Sequence, residues 1–306
     1  MEEMRNRVYG VVGIKSVMAN WNANFSGRPR VTSNNEIFGS DKAFKYPIKK
    51  MWEANGEKVL YVKSYKKEKS NIQPKDLNER YEQIFGEDVN NIKDKEKVLK
   101  HLFSAIDVMN FGATFAAKDN NIGITGAVQV GQGFNKYEDS NVEVIEILSP
   151  FRNSNNENNT NSSIGTKIVS DEAHYFYPFS VNPKNYDVYH EVVSDFTGYT
   201  KEAYKKFKEA CLVAATAFNT NSKSGCENEF ALFVECKEES KLYLANLDQY
   251  ITFKKVKDGK DIIDFSKLTS ILEDAKGEID HIELYYNDYS IELVGINDSY
   301  KINKLF

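Results

Sequence analysis

The sequence is poor in the residues that most often carry chemistry. Its 306 residues include three cysteines, Cys211, Cys226 and Cys236, and four histidines, His101, His174, His190 and His281. The thiols are odd in number and their spacings fit no zinc pattern. That excludes a disulfide framework and points to buried thiols in a reducing compartment, the cytoplasm. No histidine has a cysteine, aspartate or second histidine at local ligand spacing, so no metal and no other cofactor is expected. There is no run of about 18 apolar residues, so neither a transmembrane helix nor a membrane partner is expected. The opening Met1-Glu-Glu-Met-Arg-Asn-Arg7 lacks the apolar block and cleavage site of a signal peptide. Catalytic motifs fail as well. Gly10-Val-Val-Gly13-Ile-Lys15-Ser16 has the wrong glycine spacing for a phosphate loop and reads as a strand. His190-Glu-Val-Val-Ser194 places a serine where a zinc protease needs its second histidine, and there is no Gly-x-Ser-x-Gly elbow.

What is present is ordinary globular material, with 41% hydrophobic and 28% charged residues. The length allows two domains, or one with large insertions. The net charge of −5 hides an asymmetry. Residues 1–70 hold 14 Lys/Arg against 7 Asp/Glu, while the remainder holds 26 against 38. A basic first quarter on an acidic body marks one face for an anion.

Periodicity predicts a first strand over 7–18, a short basic helix near 41–54 and a strand near 57–65. Pro47 means that this helix either begins at Pro47 or kinks there, with Lys49 and Lys50 near its start. An amphipathic helix is expected over 94–109, then strands over 122–130, 142–148 and 173–181. The segment 152–163 has no apolar residue and reads as an exposed, mobile loop tip. Thus 148–181 reads as an excursion that leaves the body and returns. A helix over 200–218, strands near 229–236 and 241–245, and a helix over 265–276 follow. The end reads as a hairpin of Ile282–Tyr286 and Ser290–Val294. This order fits an α+β fold, of which a ferredoxin-like (RRM-like) core with insertions is one layout.

The strongest constellation runs from Trp21 to Lys50. Arg28, Arg30, Lys42, Lys45, Lys49 and Lys50 alternate with Trp21, Phe25, Phe38, Phe44 and Tyr46. Cations neutralise phosphates and aromatics stack on unpaired bases, so the physical reading is single-stranded nucleic acid or a solvated loop. Asp41 fits two roles equally, a helix N-cap beside Ser40 and an RNA-cleaving carboxylate.

Several pieces then fall in a characteristic order. They are Tyr9-Gly-Val-Val-Gly-Ile-Lys-Ser16, Asn22-Ala-Asn24 with Gly27-Arg-Pro29, Gly39-Ser-Asp-Lys-Ala-Phe-Lys45 with Ile48-Lys49, and Asp107-Val-Met-Asn-Phe-Gly112. Ile124-Thr-Gly-Ala-Val-Gln129, Gly165-Thr166 to His174, and Val181-Asn-Pro183 complete the series. Over residues 7–183 the chain resembles the backbone subunit of type I-B CRISPR Cascade complexes, the Cas-seven or DevR-like family of the RAMP superfamily. Arg28 replaces that family's acidic residue, Tyr46 and Pro47 replace basic ones, and Asn110 replaces an arginine.

The resemblance implies a single unit over 1–306 with a ferredoxin-like palm. It implies an RNA-binding loop and basic helix at 19–56 and a thumb at 148–181. It implies a non-catalytic protein that polymerises as a helical filament along CRISPR RNA, beside other Cascade subunits. The guide would be presented for pairing with target DNA. Arg28, Arg30, Lys42, Lys45, Lys49 and Lys50 would meet RNA, with Asn22 and Asn24 positioning the loop or sugar and Gln129 bonding from a palm strand. Ile168 and Val169 would be thumb-tip wedges or a strand face, with His174 at the thumb base. The competing readings are a type III-like subunit cutting target RNA with Asp41, and a protein-interaction module. A guide-processing endonuclease would need a glycine-rich loop that 277–306 lacks.

Overall fold

A computed structural model of the chain describes residues 2–117, 120–152 and 162–306. The Val/Ile-rich first segment forms β1 (Val8–Ala19), and every residue from Val8 to Ile14 is buried. The strand is covered on both faces. Val8, Val12 and Ile14 enter one core, while Tyr9 and Val11 enter another. Gly10 is glycine because a ring lies over it: a Cβ there would stand 2.3 Å from Phe179 and from the Leu232 carbonyl oxygen. The segment that superficially resembled a phosphate loop is thus a packed strand.

The centre continues with α1 (Asp41–Ala54), β2 (Val128–Val130), β3 (Ser162–Val181), α2 (Lys201–Ala217) and β4 (Cys226–Cys236). Across the sheet the order is β4–β1–β3–β2, each neighbour antiparallel. Both helices cover the same face: Phe44, Ile48 and Trp52 of α1 share a core with Phe207, Ala210 and Cys211 of α2 and with Val12. The other face is covered by α3 (Ser266–Asp274) and a small sheet of Thr252–Lys254, Asp261–Asp264 and Ile291–Val294. At one edge β5 (Ile279–Tyr286) joins β4, and β6 (Tyr300–Lys304) runs parallel to β5. The fold is α+β, with several sheets.

Local details depart from the sequence reading. Helix α1 begins at Asp41, where the Ser40 hydroxyl accepts from the Ala43 amide at 3.3 Å. Pro47 therefore lies inside the helix, its ring buried, and Lys49 and Lys50 are far from the free N–H groups of the first turn. The segment 94–109 is two helices, Lys95–Ser104 and Ile106–Phe111, because Ala105 is extended at φ −86°, ψ 123°. Residues 57–64 and 241–245 are coil. Val59, Leu60 and Val62 are buried without strand partners, so an apolar run there mimics a strand. The expected hairpin near the end does not form: β5 pairs with β4 and β6, while Ile291–Val294 runs parallel to Asp261–Asp264. The turn between them carries the chain from one sheet into another.

The excursion is a hairpin of Val142–Arg152 with the first half of β3, and from Ser170 onward β3 pairs with β1 at the centre of the main sheet. The polar tip expected over 152–163 falls on 153–161, outside the described residues.

A charged cluster joins β3, β4 and the C-terminal layer. His174 Nδ1 lies 2.8 Å from Glu229 and Nε2 3.2 Å from Glu172, and its ring stacks on Phe253 at 3.8 Å. Lys255 bridges Glu172 at 2.7 Å and Asp261 at 3.1 Å, and Lys15 lies 4.0 Å from Glu172. Burial opposes charging of His174, but Glu229 and Glu172 outweigh it and raise its pKa to about 9. The hydrogen bond from His174, then Lys255, hold Glu172 at about 2 against its burial.

This packing can be tested at two points. Gly112, after Phe111, has φ 75°, and a Cβ there would lie 2.2 Å from the Ile124 carbonyl oxygen. Gly112→Ala is expected to lower stability by about 1–3 kcal/mol, read from the urea midpoint. The His174 share of stability is complete below its unfolded value of 6.5 and lost as pH rises through about 9. The Glu172 share is complete above 4.5 and lost as pH falls through about 2. The melting temperature of the wild type should therefore fall between pH 6.5 and 9 more steeply than that of His174→Gln. Parallel curves would remove this assignment.

Candidate nucleic-acid interface

The long polar segment after β1 is folded rather than free. Antiparallel bridges join Ala23 to Pro29 and Val31 to Ile37. Asn22 Oδ1 accepts from the Ser40 amide at 2.8 Å, tying the segment to the cap of α1. Asn24 Oδ1 accepts from the Ser26 amide (2.9 Å), the Ser26 hydroxyl (2.8 Å) and the Arg28 amide (3.1 Å). Asn20 Nδ2 donates to the carbonyls of Gly27 at 2.9 Å and Ile168 at 3.1 Å. The Asn22 and Asn24 side-chain oxygens are thus committed to shaping the loop, as short polar side chains do in turns. Arg28 stands exposed on the turn, and Arg30 is half-buried with a buried Nε that has no partner among the described residues.

Helix α1 places Lys42, Lys45, Tyr46 and Lys49 along one face, at i, i+3, i+4 and i+7. With Asp41 they form one wall of an open cleft of about 360 Å³. Tyr61, Phe111 and Gly112–Thr114 line the rest. Lys45 Nζ lies 5.3 Å and Lys49 Nζ 5.8 Å from the Phe111 ring centre, and Lys49 lies 5.4 Å from that of Tyr61. Attraction to the ring faces orients both ammonium groups over the cleft floor.

Beneath Lys49 is a buried carboxylate. Asp107 accepts from the amides of Leu60 and Tyr61, each at 2.8 Å, and lies 3.7 Å from Lys49 Nζ. Burial lowers the Lys49 pKa; Asp107 acts against that, and Lys45 adds to it. Burial, then Asp107, push the Tyr61 phenol up to about 12, so it stays a neutral donor. Asn110 is buried too: it accepts from the Tyr199 hydroxyl at 2.7 Å and donates to the Ile106 carbonyl at 3.0 Å. The Asp107–Gly112 motif therefore builds the cleft floor from beneath.

Not every expected residue converges here. Lys50 faces a different cleft, beside Met51 and Phe218, and pairs with Glu53 at 2.5 Å. Gln129 donates to the Gly126 carbonyl at 2.8 Å. Gly126 packs on Phe111 and Gly112, whereas Gln129 is exposed and does not line the cleft. Ile168 and Val169 pair with Val144 and Glu143 near the foot of the hairpin, and Val169 is buried, so neither forms a tip. Consecutive strand residues face opposite sides, so Val169 is buried while Ile168 is half-buried. His174 is a buried member of the charged cluster described above.

Three features escaped the sequence reading: Tyr61 and Phe111 as the floor, and Lys223, whose ammonium sits 4.2 Å from the Trp21 ring centre and donates to the Trp21 carbonyl. Burial lowers the Lys223 pKa to about 8. Phe111 carried a signal, since it lies within the Asp107–Gly112 motif. Lys223 carried none, being remote in sequence. Folding also brings three histidines, each with an acid near it in sequence, to a carboxylate remote in sequence: Glu3 joins Asp187 and His190, Asp261 joins Glu172 and His174, and Glu235 joins Asp280 and His281. In the second group the Lys255 ammonium already bridges the two acids.

The arrangement concentrates positive charge over an aromatic floor, which suits an anion carrying flat apolar groups. The fold resembles a solved chain from a "CRISPR RNA-guided surveillance complex, pre-nicking", with a TM-score of 0.56, 14% identity and 95% of each chain covered. A second chain, from a "CRISPR RNA-guided surveillance complex", gives a TM-score of 0.50 at 14% identity, again with 95% of each chain covered. At this identity the likeness is one of fold. No curated protein matches the chain. The family model described as "CRISPR-associated protein Cas7" matches residues 6–273, and the chain therefore belongs to the Cas7 family.

Proposed function

We propose that this chain is a non-catalytic backbone subunit of a type I CRISPR surveillance complex, of the I-B kind, that holds the guide RNA. The observation that carries this reading is the cleft. In a Cas7-family chain, Lys42, Lys45 and Lys49 share one helical face above Phe111 and Tyr61. Such a surface grips a phosphate backbone without reading sequence, which leaves the guide bases free to pair with target DNA. Arg28 and Arg30 extend the positive surface along the folded segment, and Asn22 and Asn24 hold that segment in shape.

Under this reading 1–306 is one unit whose centre is a ferredoxin-like palm. Support comes from the β4–β1–β3–β2 order with α1 and α2 on one face. The hairpin from Val142 is the thumb. Copies assemble as a filament along the RNA with other subunits of the complex, in the cytoplasm. Asp41 stands in the first turn of α1, where a negative charge is favourable, and is bonded by Lys45 at 3.0 Å. That supports a positioning role over RNA cleavage.

The test is a titration of end-labelled single-stranded RNA with Mg²⁺, run on native and denaturing gels. Salt-sensitive, length-dependent shifts with intact RNA are expected. Lys45→Ala and Lys49→Ala should each weaken binding across sequences and reduce the salt slope by about 0.7 for each phosphate no longer neutralised. Unchanged affinity and slope in both folded variants would remove the cleft from the interface. Regular cleavage abolished by Asp41→Ala would move the protein to the nuclease class.

A further inference from the structure

Five aromatics interleave with the cations between Trp21 and Tyr46, and the structure divides them sharply. Trp21 and Phe44 are buried, and Phe44 stacks on Tyr177 at 4.9 Å. Phe38 packs on Phe134 at 6.1 Å, and Tyr46 sets its edge against Phe218 at 5.5 Å. Phe25 alone is wholly exposed, at 109% of its reference area, and pairs with no other ring among the described residues.

Its turn is not loose. Asn24 Oδ1 holds the amides of Ser26 and Arg28, on either side of Gly27. The Gly27 amide bonds the Asn24 carbonyl at 3.1 Å, and Asn20 pins the Gly27 carbonyl to the hairpin foot. A ring presented on a held turn loses little freedom when it binds. Arg28 stands exposed on the same turn, and Asn22 joins the turn to the cap of the helix that carries Lys42, Lys45 and Lys49.

We infer that Phe25 is a stacking platform for an unpaired nucleobase of a single strand whose phosphates meet Arg28 and the α1 lysines. This rests on the RNA-binding reading above. A flat apolar ring beside a cation matches the alternation of base and phosphate, and every base offers a π-face, so the contact tolerates any sequence. A second copy of the chain fits worse. Specific protein contacts cover roughly 800 Å² per partner, whereas the neighbours of Phe25 on the turn are Asn24, Ser26, Gly27 and Arg28, all small or polar.

The experiment compares the full-length wild type, Phe25→Ala and Phe25→Trp on end-labelled single-stranded RNA, and on DNA of the same sequence, at several salt concentrations. Phe25→Ala should melt like the wild type, because the ring is exposed. It should bind about 5- to 100-fold more weakly with an unchanged salt slope, and Phe25→Trp should restore binding. Weaker binding to both polymers, or to one of them, supports the platform and names the strand that supplies the base. RNA carrying 5-iodouridine should photocross-link to Phe25. If the wild type binds, but Phe25→Ala binds equally and no adduct maps to Phe25, the stacking inference falls while the RNA-binding reading stands. If the wild type itself does not bind, that reading falls first. If Phe25→Ala changes only self-association without RNA, the ring is a contact between copies and the inference is overturned.

Discussion

Strand β1 must be covered on both faces at once, and much of the fold answers that demand. Its residues from Val8 to Ile14 are buried, so one layer has to lie above the sheet and another below. Helices α1 and α2 supply the first; α3 with the small C-terminal sheet supplies the second. A strand dressed on two sides cannot shift its register by one residue without sending each core set into the wrong layer. Glycines at Gly10 and Gly13 tighten the arrangement, because the rings of Phe179 and Phe230 occupy the space their side chains would need. The placement of α1, and with it the row of lysines, follows from this packing.

The cleft shows how cations can be held close together beside apolar surface. Lys45 and Lys49 repel each other and Lys49 is largely buried, both of which disfavour its charge. Three things offset that cost: the aromatic faces of Phe111 and Tyr61, the Asp41 carboxylate beside Lys45, and Asp107 beneath Lys49. Asp107 also secures the amides of Leu60 and Tyr61, so the same carboxylate fixes the coil that supplies one aromatic wall. Asp107 belongs to the architecture of the surface and not to its exposed contacts.

Much of this was legible from residues alone. The β1 strand, the long helix over 200–218, the basic character of the first quarter and the α+β class follow from local pattern and charge. What was not legible involved partners distant in sequence. The sequence leaves open whether α1 begins at Pro47 or contains it; in the structure Pro47 lies inside the helix with its ring buried. Residues 57–64 look like a strand because Val59, Leu60 and Val62 are apolar, yet the amides of Leu60 and Tyr61 bond to a side chain 46–47 positions away. The resemblance offered Ile168 and Val169 as thumb-tip wedges or a strand face; both lie in the ladder where β3 enters the main sheet, and Val169 is buried, which fits the strand face. Among the cations, helical spacing gathers Lys42, Lys45 and Lys49. The same spacing does not reveal that Lys50 faces α2, since that depends on where the neighbouring helix lies.

The course of β3 has a mechanical consequence. It is one strand from Ser162 to Val181, and only its second half is locked between neighbours in the main sheet. Its first part therefore behaves as a cantilever clamped at Ser170, whose hydroxyl donates to the Ala19 carbonyl at 3.0 Å. From Ser162 to Val169 this beam spans roughly 25 Å at the rise of an extended chain. Changing its angle would mean breaking ladder bonds near the clamp, so the arm can act as a spacer of set length and bearing.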